Sequence, residues 1–209
     1  MKKLLLLLLA VQLLTSLQAQ QKTTITHHGF YLSMAVGPAF GNVNGKTDDG
    51  QVVKVEGTAV GFDAQIGGTI GENLILHGTL QGKSIFAPTI NGVKLTSKYT
   101  FDENFIGAGL TKYSKENFFG TVNLGAAYYS FTMQNSFFET AKSNTRAGFS
   151  FNVRAGKEWL VSPKWGLGAA LFYSRTSLSS KDGTTGVNEK WNGNRFGIYF
   201  QATFNRTRQ

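Results

Sequence analysis

Residues 29–41 read GFYLSMAVGPAFG, and the alternation in this stretch decides the fold. Its odd positions are small or polar, with Tyr31 as the exception. Its even positions hold the large apolar residues Phe30, Leu32, Met34, Val36 and Phe40. A helix would spread this pattern around its circumference, whereas a strand places the apolar set on one face. The stretch therefore predicts a strand with one apolar and one polar face.

The same alternation recurs in seven later segments, which brings the number of predicted strands to eight. They are residues 58–70, 74–84, 101–113, 118–131, 147–160, 165–175 and 194–204. The connections show a second regularity, because short and long ones alternate and the first is long. The short ones are 71–73, 114–117 and 161–164, and the long polar ones are 42–57, 85–100, 132–146 and 176–193.

Short periplasmic turns and longer external loops are typical of outer-membrane barrels. The chain is therefore predicted to be all-β, an eight-stranded antiparallel up-and-down transmembrane β-barrel over residues 29–204. The even strand number places both termini on the periplasmic side. A soluble sandwich or lipocalin-like barrel is the alternative, and it would bury the apolar face inside.

Aromatic residues near the strand ends favour the transmembrane barrel over the soluble fold, since transmembrane barrels carry two interfacial aromatic girdles. On the turn side the predicted girdle contains Phe30, Phe118, Trp159, Trp165 and Phe204, and on the loop side it contains Tyr128, Tyr173 and Phe196. The opposite face is rich in Gly, Ala and Ser, which fits a narrow interior better than a hydrated surface.

The N-terminus has the composition of a secretory signal peptide. Lys2 and Lys3 precede an apolar run over residues 4–14, and the small residue Ala19 indicates cleavage near that position. We therefore predict a signal peptide over 1–19, a periplasmic segment over 20–28 and a C-terminal tail over 205–209. The mean hydropathy of −0.14 does not separate a soluble protein from a barrel whose polar and apolar residues alternate.

The chain has no cysteine, which excludes disulfides, thiolate metal sites and a lipid-anchored cysteine. The formal net charge is +9, but the basic residues are scattered and form no nucleic-acid-binding arm. An excess of positive charge on an exported protein suits acidic lipid head groups instead.

Ionisable residues on the predicted inner face define a candidate polar network, made of Asp63, His77, Lys83, Glu103, Arg154, Glu158 and Arg195. An eight-stranded barrel has an interior that side chains can just fill, so charges there must be paired. A salt-bridged plug that closes the barrel is the favoured interpretation. A proton or ion path through the lumen is the alternative, and the sequence does not show which acid meets which base.

The candidates for catalysis or metal binding are the histidines and the Asp48/Asp49 pair, and the spacing of that pair fits no recognised calcium-binding loop. A lipid-modifying enzyme would need His77 near a serine such as Ser84, with a supporting acid. His77 is instead predicted to be a core residue, and His27 and His28 to be solvated. We expect no catalytic, cofactor or metal site and therefore no enzyme.

The stretch 156–168, GKEWLVSPKWGLG, together with the signal peptide and the eight alternating strands, resembles small outer-membrane β-barrels of the OmpA/OmpX type. The resemblance spans nearly the whole mature chain. It implies a Gram-negative outer-membrane protein that meets lipopolysaccharide and other outer-membrane lipids, and the barrel-assembly machinery during biogenesis.

The expected function is a non-enzymatic one, in envelope integrity or in binding a surface partner through loops 42–57, 85–100, 132–146 and 176–193. No nucleic-acid partner and no cofactor are expected. A small-solute channel and an envelope lipid-modifying enzyme are the two alternatives. An arginine at outward-facing Leu124 is expected to impair insertion more than one at inward-facing Asn123.

Overall fold

The computed structural model describes residues 25–134, 140–181 and 186–208, so the predicted signal peptide lies outside the described residues. The described chain forms twelve strands in one sheet. They are β1 (Thr26–Thr47), β2 (Val52–Glu56), β3 (Ala59–Gly71), β4 (Leu74–Phe86), β5 (Thr89–Ile90), β6 (Val93–Lys94), β7 (Tyr99–Tyr113), β8 (Phe118–Gln134), β9 (Thr140–Asn144), β10 (Gly148–Leu160), β11 (Trp165–Lys181) and β12 (Asn188–Arg208).

Eight long strands form a closed antiparallel barrel, which confirms the predicted fold. Around the ring their order is β1, β3, β4, β7, β8, β10, β11 and β12, so each strand pairs with its neighbours along the chain. The ring closes between β1 and β12, whose pairing runs from Thr26 opposite Arg208 to Thr47 opposite Glu189. Closure leaves no open edge in the barrel wall.

The first and the last strand of the barrel are both longer than the sequence predicts. β1 begins at Thr26 and β12 continues to Arg208, so residues 26–28 pair with 206–208, and Asn205 pairs with Tyr31, instead of forming a free segment and a tail. These residues lie at the turn side of the barrel, beyond the apolar belt. The sequence of these residues contains no large apolar residue and so lacks the alternation that marks the rest of each strand.

The external loops contain more regular structure than predicted. β2 pairs with the upper part of β1, β5 pairs with β2, β6 pairs with β5, and β9 pairs with β8. At the turn between β1 and β2, the Thr47 hydroxyl and the backbone N–H of Gln51 donate hydrogen bonds to Asp49, which hold the pKa of that carboxyl below its usual range. The sheet thus continues above the barrel on the loop side.

Two of the short turns depend on asparagine. Asn73 and Asn117 adopt left-handed φ values of 53° and 60°, which asparagine tolerates better than most residues. In the second turn the Ser114 hydroxyl accepts hydrogen bonds from the backbone N–H groups of Glu116 and Phe118. These contacts explain why so few residues connect the strands on this side.

The two faces of the barrel wall differ as the alternation predicts. On β8, the side chain of Leu124 is 54% exposed on the outside, while the adjacent Asn123 is fully buried inside. The exposed apolar side chains form an outer belt, which includes Met34, Val36, Phe62, Ile66, Leu76, Leu80, Ile106, Leu110, Val122, Leu124, Leu167, Leu171, Ile198 and Phe200. In the described part of the chain, no helix is long and apolar enough to cross a membrane.

Replacement of Leu124 by arginine is expected to destabilise the folded barrel by about 2–4 kcal/mol, because a charge near the bilayer midplane loses its hydration. Asn123 is an unsuitable comparison, since its amide is packed against Thr79 and Asn152 and an arginine there would not fit. Exposed Ser143 on β9 is the better control. The measurement is the fraction of protein that folds into lipid vesicles, read from gel mobility with and without boiling. This folded fraction should fall for Leu124→Arg and stay unchanged for Ser143→Arg.

Candidate functional site in the barrel interior

All residues of the predicted polar network point into the barrel. Asp63, His77, Lys83, Glu103, Arg154, Glu158 and Arg195 are each at most 3% exposed. They come from β3, β4, β7, β10 and β12, so the network connects strands on different sides of the ring. The six charged members are three acids and three bases. The structure divides them into two ion-paired groups and one carboxylate with a different environment.

The first group is the pair formed by Arg154 and Asp63 across the lumen. The Arg154 Nη1 atom lies 3.2 Å from Asp63 Oδ1, and Gln81 Nε2 donates a hydrogen bond of 2.8 Å to Asp63 Oδ2. The guanidinium lies about 6 Å from the ring centroids of Phe119 and Tyr199. These contacts place one arginine between a carboxylate and two aromatic rings, which is a favourable environment for a buried guanidinium.

The second group has one acid and two bases. Lys83 Nζ lies 2.9 Å from Glu103 Oε1, and Arg195 Nε lies 3.8 Å from Glu103 Oε2. The Thr176 hydroxyl donates a further hydrogen bond to Glu103, and Arg195 Nη1 donates one to the carbonyl oxygen of Gly41. Glu103 is thus held from β4, β11 and β12 at once.

Glu158 has no basic partner within 4.0 Å among the described residues. Its Oε1 atom instead accepts hydrogen bonds from the Tyr113 hydroxyl, the Gln201 amide and the Thr203 hydroxyl. Three donors replace the water that the carboxylate loses on burial, which is the requirement for any buried charge. The side chain therefore serves as an acceptor that connects β7, β10 and β12.

His77 belongs to a chain of neutral hydrogen bonds. Its ring nitrogens lie 3.0 Å and 2.9 Å from the hydroxyls of Thr79 and Thr111. The chain continues from Thr79 to Asn123 and on to Asn152. A Cβ atom at Gly109 would overlap Asn123 Oδ1 and lie 2.7 Å from His77 Cε1, so this layer has no spare room.

Ser84, the serine considered as a partner for His77, lies on the opposite face of β4. The His77 side chain is buried in the lumen, whereas Ser84 belongs to the alternate set of β4 residues that faces outward. A pair that must exchange a proton needs hydrogen-bond contact. The arrangement of β4 keeps these two side chains apart.

A buried histidine closes the turn side of the barrel. The ring nitrogens of His27 lie 2.9 Å from the Oδ1 atoms of Asn117 and Asn205, and its backbone N–H donates to Asn73 Oδ1 at 2.7 Å. The ring stacks on Tyr113 with 3.9 Å between centroids. The prediction that His27 is solvated is therefore wrong, because β1 starts earlier than expected and carries this side chain inward.

Apolar side chains close the loop side, and we refer to them as the apolar cap. The cap consists of Val43, Val55, Ala59, Ile85, Phe101, Tyr129 and Leu178, with the partly buried Val53, Ile90, Phe131 and Trp191 packed against them. Phe101 stacks on Tyr129 with 5.3 Å between centroids, and Trp191 contacts both rings. Two of its members come from β2, so the loop segments themselves complete the closure.

The predicted girdle residues all lie on the outer surface. On the turn side Phe204 contacts Phe30 and Trp165 at centroid distances of 6.2 Å and 5.2 Å, and Lys157 lies over the ring of Phe118. On the loop side Phe40, which is not among the predicted girdle residues, pairs with Phe196 at 5.8 Å between ring centroids. Trp159, Tyr128 and Tyr173 complete the set on β10, β8 and β11.

Several interior residues were not predicted as part of the network. Tyr31, Tyr113 and Tyr199 are buried and contact His77, Glu158 and Arg154, respectively, and strand parity alone places them inward. Asn73, Asn117 and Asn205 lie in turns or in the predicted tail, where alternation gives no signal. Within the described residues, no three His, Asp or Glu side chains are arranged to hold a metal ion.

A closed barrel with an apolar exterior and a paired polar interior is the fold of outer-membrane β-barrels. The structure is similar to the crystal structure of Neisserial surface protein A (NspA), with a TM-score of 0.52, 13% identity, and coverage of 84% of this chain and 96% of that chain. It is also similar to the outer membrane protein OprG from Pseudomonas aeruginosa, with a TM-score of 0.52, 11% identity, and coverage of 88% and 99%. No protein-family model and no curated protein sequence matches the chain. The predicted resemblance to small outer-membrane barrels is confirmed for the fold.

Removal of one member of the Arg154–Asp63 pair should strongly destabilise the barrel. Arg154→Met leaves Asp63 buried without its cation, and we expect a loss of about 3–5 kcal/mol in the free energy of unfolding. The double variant Arg154→Met/Asp63→Asn should recover part of that loss, because no charge is then left unpaired. Urea unfolding in lipid vesicles, followed by tryptophan fluorescence, measures both. A double variant no more stable than Arg154→Met would contradict the pairing.

The two neighbouring histidines provide a matched test of the turn-side closure. His27→Ala removes a buried ring with its stacking and hydrogen bonds, and we expect a loss of roughly 2–3 kcal/mol. His28→Ala changes an exposed side chain and should alter stability by less than about 0.5 kcal/mol. The same unfolding measurement compares them. Equal effects would mean that His27 is not held in the barrel.

Proposed function

We propose that the chain is an integral protein of the outer membrane, exported through the periplasm, with a non-enzymatic role. In this proposal the barrel is a sealed scaffold. It holds the loop-side strands at the cell surface, where they stabilise the envelope or bind a surface partner. The observation that carries the proposal is the closure of the lumen at both ends, by His27 with its three asparagines and by the apolar cap.

The interior supports a structural role more than a conducting one. A selective pore needs a hydrated path lined by charges that an ion can approach. Here the charged side chains bond to one another: Arg154 to Asp63, and Lys83 and Arg195 to Glu103. An ion entering the lumen would have to break these pairs.

The loop side supports a role at the surface. β1 and β12 remain paired up to Thr47 and Glu189, well beyond Phe40 and Phe196 of the loop-side girdle. β2 and β9 add further strands to this extension. Rigid scaffolds that present exposed segments are where binding commonly occurs. The paired strands give this surface a fixed shape before any partner arrives.

Planar-bilayer recording of the refolded protein tests the sealed lumen. We expect no steady conductance, while a water-filled porin reconstituted in the same way conducts. Gel mobility with and without boiling must first show that the protein in the bilayer is folded. Steady single-channel openings from a folded barrel would overturn the proposal in favour of a small-solute channel.

A loop variant separates the two roles at the surface. Residues 91–98, which follow the cap residue Ile90 and precede β7, are replaced by a short glycine-containing turn that leaves the barrel strands and the apolar cap intact. If the barrel alone stabilises the envelope, this variant should restore detergent resistance to cells lacking the protein as fully as the wild type does. If the loops bind a partner, it should fold and insert but fail to restore. If neither the wild type nor the loop variant restores detergent resistance, both roles are contradicted.

A further inference from the structure

Three buried side chains on neighbouring strands carry hydrogen-bond donors that are left without an acceptor. Asn152 of β10 pairs with Ser174 of β11, and Ser174 pairs with Arg195 of β12, so the three lie in one row of the barrel wall. Each is 1% exposed and points into the lumen. Paired residues of antiparallel strands have Cβ atoms about 5 Å apart, so the three side chains are adjacent. We call this row the donor cluster.

Each member of the donor cluster has at least one buried polar atom that forms no hydrogen bond with the described residues. These atoms are Asn152 Nδ2, the Ser174 hydroxyl, and Nε and Nη2 of Arg195. Amide and guanidinium nitrogens only donate, while a hydroxyl donates one hydrogen and also accepts. A buried donor without an acceptor is unfavourable. The donor cluster therefore requires an acceptor in the lumen.

The charges beside the donor cluster sum to one positive charge. Arg195 and Lys83 share a single acid, Glu103, whose oxygens lie 3.8 Å from Arg195 Nε and 2.9 Å from Lys83 Nζ. The other buried arginine is neutralised by its own aspartate. Glu158 does not compensate, because it lies six residues from Asn152 along β10, which is roughly 20 Å. The surroundings of Arg195 therefore favour a negative charge.

The side chains of the lumen do not supply the missing acceptor. In the described part of the chain, the buried side-chain oxygens that carry no hydrogen and accept no hydrogen bond belong to Gln81, Glu103 and Gln201. None of the three forms a hydrogen bond with a member of the donor cluster. The nearest measured approach is 3.8 Å, between Glu103 Oε2 and Arg195 Nε, which is too long for a hydrogen bond. An acceptor from outside the chain is needed to complete the row.

We propose that the donor cluster binds a small inorganic anion, and that in solution this anion is chloride. A halide accepts hydrogen bonds from several directions, so it meets the donors of Asn152, Ser174 and Arg195 together. Its charge also balances the excess positive charge beside Glu103. A water molecule would add two hydrogens to a row that already has too many donors, and it would leave the positive charge in place.

The closed lumen determines how the anion enters. His27 with its asparagines closes the turn side, and the apolar cap closes the loop side. The anion is therefore enclosed while the barrel folds, and it exchanges slowly afterwards. The inference goes beyond the proposed function, because it requires only the folded barrel and no surface partner.

Urea unfolding of the full folded chain in neutral lipid vesicles tests the site, with chloride replaced by gluconate at constant ionic strength. A chloride concentration ten times the dissociation constant should raise the folding equilibrium constant about elevenfold. Ser174→Ala removes one donor and should weaken chloride binding by about fivefold, the effect of one lost hydrogen bond. The matched control is Ser33→Ala, an equally buried serine of β1 that accepts a hydrogen bond from Thr203.

Ser33→Ala should keep the full chloride dependence even if the barrel becomes less stable. A wild type whose stability is the same in chloride and gluconate would overturn the site. A chloride dependence that is equal in Ser174→Ala and Ser33→Ala would overturn it as well, because the anion would then bind elsewhere.

Bromide locates the anion directly. The protein is refolded in sodium bromide and crystallised, and anomalous difference density is measured at the bromine absorption edge. We expect a peak within hydrogen-bond distance of Ser174 and Arg195, whereas density there without an anomalous signal would identify water and overturn the proposal. Bromide added only after folding separates this proposal from the proposed function. An equally strong peak after such a brief soak would support the anion site and contradict the sealed lumen.

Discussion

The structure depends on one constraint, which is that every backbone polar group in a hydrocarbon environment must be paired within the protein. The pairing of β1 with β12 satisfies it by turning an eight-stranded sheet into a ring without edges. Closure fixes which face of each strand points outward, because a shift by one residue would exchange the faces. It also limits the interior to the width of its own side chains. The apolar belt and the polar network both follow from the closed ring.

The narrow interior explains why its charges are arranged as they are. With too little space for bulk water, each ion must find its partners among the other side chains of the interior. Glu103 meets this requirement with two bases, and Glu158 meets it with hydroxyl and amide donors alone. Lys83 reaches Glu103 from the neighbouring strand β4, whereas Arg195 reaches Glu103, and Tyr113 and Thr203 reach Glu158, from strands that are not neighbours in the ring. These cross-lumen contacts therefore hold facing parts of the wall at a fixed distance from each other.

The sequence predicts the strands and the inward or outward direction of side chains wherever apolar and polar residues alternate. It does not predict the contacts that depend on anything else. Alternation places Asp63 and Arg154 in the lumen, but their pairing depends on strand stagger around the ring, which one sequence does not encode locally. His27 lies outside any alternating stretch, so its burial follows only from the pairing of β1 with the end of β12. The sequence does alternate where β1 and β12 continue above the girdle, yet it did not predict this continuation. Asn42 and Asn44 alternate with Val43, but the residues on both faces of the strand are too polar to indicate a membrane strand.

Above the girdle, the side chains of the extended strands still alternate between the inside and the outside, as they do in the barrel below. The same strands therefore contribute to both the sealed interior and the outer surface. The inner face of the extension carries Val43, Leu178 and Trp191 of the apolar cap, while its outer face carries polar residues such as Asn44 and Asn192. Because one set of strands forms both, the cap that fills the lumen also fixes the positions of Lys46 and Lys190. Inside the barrel, Arg154 pairs with Asp63, and Lys83 and Arg195 pair with Glu103. On the outer face of the extension, Lys46 and Lys190 are exposed and form no ion pair with the described residues, so contact with other molecules is expected there.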